Sequence, residues 1–84
     1  MILILMNADF DKNNESIGFT FRASEDGRVF HITKGKDKAY YVYASDNSID
    51  RSAKKEILKN VIGLFKKSKK KILKIIEKRE KIKI

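Results

Sequence analysis

The chain contains no cysteine, no proline and no tryptophan, and it has a single histidine and four glycines. Without cysteine, neither a disulfide framework nor a thiolate metal site reinforces the core, and nothing points to an oxidising compartment. One histidine cannot found a metal site of the usual spacing, so His31 reads as a strand residue without chemistry. No glycine-rich loop is present to cradle a phosphate. Ser24, Ser45 and Ser48 have no base close in sequence, so neither catalysis nor a cofactor is expected. Asp9, Asp11 and Asn13 imitate the start of a calcium loop. Its sixth position is Asn14 rather than glycine and its twelfth is Thr20 rather than glutamate, which argues against calcium.

Long apolar runs are missing too. The longest, residues 1–6, is far too short to span a bilayer and lacks a basic leader and a small-residue cleavage site, so it reads as a buried strand. A soluble cytoplasmic protein with no membrane association is expected. The sequon at residues 14–16 then carries no glycan.

What is present is lysine, unevenly placed. Residues 1–53 carry seven basic and eight acidic side chains, a net of −1, whereas residues 54–84 carry thirteen basic and three acidic, a net of +10. A coding bias toward lysine and isoleucine would spread lysine along the whole chain. Its concentration in one segment is therefore the most informative feature of the sequence.

At 84 residues the chain forms one domain, 1–84, burying only ~60% of the surface its unfolded form exposes. Residues 1–46 are expected to form a β-meander. After the first strand, residues 7–16 read as a polar connection rich in Asn and Asp. Ile17, Phe19, Phe21 and Ala23 then alternate with Gly18, Thr20 and Arg22, the period of a strand with one buried face. Asp26-Gly27 marks a hairpin to a third strand carrying Phe30 and Ile32 inward. A turn at Gly35, expected to supply positive φ, leads to a fourth strand in which Tyr40 and Val42 alternate with Tyr41 and Tyr43.

Residues 47–84 are expected to be helical, with Asn47, Ser48 and Asp50 as N-cap candidates. At 100° per residue the apolar side chains from Ile57 to Ile76 fall within roughly 180°, and the stripe keeps its phase across residues 66–71. Phase continuity predicts one long basic amphipathic helix. At ~50 Å it outruns strands of ~20 Å. Either it breaks near Gly63 or Ser68 and folds back, or it projects and buries Ile72, Leu73 and Ile76 in a homodimer; the projecting helix is the favoured expectation.

The opposite arc carries Lys59, Lys66, Lys67, Lys70, Lys71, Lys74, Lys78 and Lys81. Lys66, Lys67, Lys69, Lys70 and Lys71 have no carboxylate three or four residues away, so an anionic partner would relieve their repulsion. Nucleic acid is the simplest such partner. A membrane-surface peptide is disfavoured, because residues 66–84 contain no aromatic and their stripe continues that of Ile57 to Phe65. The sheet face opposite Phe19 and Phe21 is expected to display Thr20, Arg22, His31, Thr33, Tyr41 and Tyr43, side chains on which single-stranded bases stack.

No residue motif assigns the chain to a family. In architecture alone, a meander followed by a helix is similar to small single-strand-binding coactivator domains that dimerise through their helices. The leading expectation is a non-catalytic protein that binds RNA or single-stranded DNA. Lys59, Lys66, Lys67, Lys69, Lys70, Lys71, Lys74 and Lys78 would contact phosphates, and Arg22, Tyr41 and Tyr43 bases. The alternative is a small phage or mobile-element protein of the anti-CRISPR or other anti-defence type that inhibits a host nucleoprotein machine by docking on an acidic protein surface.

Overall fold

The computed structural model describes residues 1–45 and 49–84. It is an α+β arrangement in two layers. Strands β1 (Ile2–Phe10), β2 (Ser16–Ala23), β3 (Val29–Lys34) and β4 (Tyr40–Ala44) precede helix α1 (Arg51–Val61), a 3₁₀ segment (Ile62–Lys66), helix α2 (Lys69–Lys78) and strand β5 (Lys81–Lys83). The sheet is antiparallel in the order β4-β3-β2-β1-β5. The sequence predicts α+β and the meander correctly. It misses the fifth strand, and of its two readings of the helical region the structure takes the break near Ser68 rather than the favoured single projecting helix.

β1 runs four residues beyond its expected end. A register shift between Leu5 and Asn7 places two residues opposite one, so Ala8 pairs with Phe19 and returns to the buried face with Phe10. A bulge of this kind resets the period of two and hides the strand from pattern analysis. The turn that follows is held by Asp11, whose Oδ1 accepts the amides of Asn13 and Glu15 at 2.8 and 3.0 Å. The Asp26-Gly27 hairpin forms as expected, with Gly27 at φ 75°. In the next turn the left-handed residue is Lys38, at φ 64°, and not Gly35. Gly35 is required for space, since a Cβ there would lie 2.8 Å from the Tyr41 ring.

One face of the sheet contributes Leu3, Leu5, Phe19, Phe21, Ala23, Phe30, Ile32, Val42 and Ala44 to the core, and both helices cover that face with Ile57, Val61, Leu64 and Ile72. Asp50 caps α1, its Oδ1 accepting the Ala53 amide at 2.7 Å. Asn47 and Ser48, and the expected boundary between residues 46 and 47, lie outside the described residues.

The long projecting helix is not formed. After the 3₁₀ segment, Lys67 and Ser68 are both extended (ψ 150° and 155°), and Ser68 Oγ accepts the Lys71 amide at 3.3 Å to start α2. The stripe keeps its phase across this break because both helices lie on the same sheet. Phe65 docks between Phe19 and Tyr40, with ring centroids 4.7 and 4.9 Å away. α2 folds back over β1, and Ile72, expected at a dimer interface, is 0% exposed within the chain's own core. Ile76 is half-buried against that core, and only Leu73 stays largely outside, at 48%. Apart from Ile62 and Leu73 the apolar stripe is thus covered internally, which removes the main reason for invoking a homodimer.

α2 ends at Arg79, which adopts the left-handed conformation (φ 51°) while its amide and that of Glu80 bond back to the carbonyls of Ile76 and Ile75 at 3.1 and 3.3 Å. Glycine normally fills this position, and its absence explains why the sequence signals no stop. Arg79→Gly is expected to raise stability by about 1 kcal/mol, because a side chain in that conformation is strained. A higher urea midpoint with an unchanged slope checks it; an unchanged or lower midpoint would show that Arg79 contributes contacts outweighing the strain.

Candidate functional site

Lysines from three segments converge beside α2. Lys71, Lys74 and Lys78 are spaced three and four residues apart and share one face of the helix. That face borders a groove of about 380 Å³, into which Lys67 comes from the connection before α2 and Lys81 from β5. Leu64, Ile75 and Ile82 form its apolar parts, and Glu80 is the single carboxylate on its rim. Among the described residues the one ion pair is Arg28 with Asp26, at 2.7 Å, so none of the five groove lysines has a carboxylate within 4.0 Å. Four unneutralised ammonium groups, those of Lys67, Lys71, Lys74 and Lys78, over an apolar floor attract anions, while Lys81 lines the groove only from the β5 edge, its side chain sharing the uncovered face with Ile4 and Arg22.

The other predicted lysines scatter. Lys66 lines a separate depression near Asn14 and Ser16, together with Lys34 and Lys67. Lys69 is occupied by its own fold: its Nζ lies 3.4 Å from Asn14 Oδ1 and 5.1 Å from the Phe10 ring centroid. Lys59 and Lys70 are exposed and lie outside the groove.

Arg22, Tyr41 and Tyr43 occupy the uncovered face of the sheet, as expected. Cross-strand rows there run Lys81–Ile4–Arg22–Val29 and Asn7–Thr20–His31–Tyr43. The Thr20 hydroxyl lies 3.1 Å from His31 Nδ1. Tyr41 and Tyr43 lie on β4, at the opposite edge of the sheet from β5, ~19 Å away at ordinary strand spacing. They are not part of the lysine groove. Tyr41 is also held locally, donating to Asp37 Oδ2 at 2.6 Å. That bond lowers the carboxyl pKa of Asp37, helped by the Ala39 amide, and raises that of the Tyr41 phenol.

The linear order puts Lys81 on the lysine arc of a helix, whereas it lies on β5; residues 81–84 read Lys-Ile-Lys-Ile, a period of two rather than 3.6. Among the described residues no helix is long and apolar enough to cross a membrane, and no three His, Asp or Glu side chains are grouped to hold a metal ion. Compared with protein-family models, curated proteins and solved structures, the chain matches none.

Proposed function

We propose that this protein is a non-catalytic nucleic-acid-binding protein whose contact surface is the lysine groove between α2 and β5. The observation that carries this reading is the convergence of Lys67, Lys71, Lys74 and Lys78 on one concavity with a single carboxylate at its rim. Each lysine that replaces a condensed counterion on a phosphate contributes to affinity through ion release. A single strand of RNA or DNA suits the groove better than a duplex, because it bends into a concavity and can lay bases on Leu64, Ile75 and Ile82. A duplex, stiff over about 50 nm, meets only the rim. Arg22 and Tyr43 form a second surface, continuous with the groove through the row that contains Lys81.

Binding of labelled single-stranded RNA, single-stranded DNA and duplex DNA across a salt series tests the proposal. Four phosphate contacts predict a slope of log affinity against log salt of about −2.8 for single strands, a loss of roughly 50-fold between 50 and 200 mM. Affinity that is flat with salt, or no binding at low salt, would refute it.

A further inference from the structure

The two edges of the sheet are treated differently. The β5 edge is three residues long and carries Lys81 and Lys83, the usual defences against pairing with another chain. The β4 edge has none. Its five residues contain no lysine or proline, and its pairing with β3 shows no register shift.

Backbone bonds from Gly35 N to Ala39 O (2.8 Å) and from Ser45 N to Val29 O (3.0 Å) fix which residues of β4 face β3. In an antiparallel ladder bonded and non-bonded pairs alternate. Tyr40, Val42 and Ala44 therefore turn their amides and carbonyls outward, where among the described residues no further backbone group meets them. Beside this edge runs a groove of about 270 Å³, floored by Tyr40, Val42 and Leu58 and walled on the α1 side by Arg51, Lys54 and Lys55. None of these three cations has a carboxylate within 4.0 Å among the described residues.

We propose that the β4 edge accepts an extended acidic segment of another protein as a sixth strand. Its backbone pairs with Tyr40, Val42 and Ala44, and its carboxylates lie against Arg51, Lys54 and Lys55. A second copy of this chain is the poorer occupant, because a two-fold pairing of β4 with itself would bring two sets of these cations together. Nucleic acid is also poorer, since its backbone has no amide donors to match the outward carbonyls. This surface is independent of the lysine groove.

The test is NMR titration of the full chain with a short peptide alternating valine and glutamate. Two companion peptides are N-methylated at the amides that would face β4, or carry lysine in place of glutamate. Shifts should centre on the amides of Tyr40, Val42 and Ala44, with hydrogen exchange there slowed by about tenfold or more, as for newly bonded strand amides. N-methylation should weaken binding by about tenfold or more, since it removes bonds the edge would otherwise form. Arg51→Glu/Lys54→Glu/Lys55→Glu should lose the acidic peptide and take the lysine peptide. That variant places acids in the first turns of α1, where the helix dipole favours them, so it is expected to fold.

Equal binding of the N-methylated peptide, or shifts confined to Lys71, Lys74 and Lys78, would overturn the proposal. So would no shifts at millimolar peptide, protection of the edge amides by self-association alone, or the same amides responding to an oligonucleotide instead.

Discussion

Ile72→Ala is expected to lower the unfolding free energy by about 2–5 kcal/mol, the range for truncating a fully buried aliphatic side chain and leaving a cavity. Ile72 is 0% exposed beneath α2, whereas its neighbour Leu73 is 48% exposed. Leu73→Ala should therefore cost no more than about 0.5 kcal/mol. A chain of 84 residues has a total stability of roughly 4–12 kcal/mol, so the Ile72 variant loses a large part of its margin. Urea unfolding should show a lower midpoint with an unchanged slope, independent of protein concentration. The projecting helix predicts another outcome: both substitutions would be mild for the isolated chain and would reduce its mass by light scattering. That result would refute the packing of α2 on β1.

The largest effect on binding is expected from Lys71→Glu/Lys74→Glu combined with Lys78→Gln. Neutralisation rather than reversal suits Lys78, because a carboxylate in the last turn would oppose the helix dipole. Three of four phosphate contacts disappear, which flattens the salt slope for a single strand from about −2.8 to about −0.7. Affinity near 50 mM salt should fall by about 100-fold or more, because the two reversed charges also repel phosphate. Stability should change by less than about 1 kcal/mol, since exposed lysines are replaced by exposed polar side chains. Lys12→Glu/Lys36→Glu, on turns that do not line the groove, should weaken binding only a few-fold. An equal loss from that control would show that net charge acts rather than the groove; no loss from the first variant would remove the groove from the mechanism.

Local chemistry announced much of this molecule. The alternation of Phe19, Phe21 and Ala23 specified a buried face, and Asp26-Gly27 specified a hairpin, because each depends on a few neighbouring residues; Ile17, read onto the same face, is 39% exposed, because a second register shift opposite Asp9 and Phe10 leaves it outside the ladder. The uncovered face with Arg22, Tyr41 and Tyr43 followed from the same period. Two features were hidden by local exceptions. The bulge after Leu5 shifted the period so that Asn7–Phe10 read as a loop, and Arg79 took a conformation usually marked by glycine, so the end of α2 went unread.

By itself, then, the sequence determined the class of fold, most of the sheet's share of the core and the concentration of positive charge after residue 53. These follow from side-chain periodicity and from which residue types tolerate burial. Only the tertiary structure decided where the helical stripe finds cover and which lysines meet. An apolar stripe is satisfied equally by its own sheet or by a partner, and its phase is the same in both. The break at Lys67 and Ser68 resolves this by seating Ile72 on β1. Pairing of β5 with β1 then sets Ile82 across from α2 and closes a groove in which Lys67 meets Lys71, Lys74 and Lys78, side chains that the linear order had read as one uninterrupted helix face.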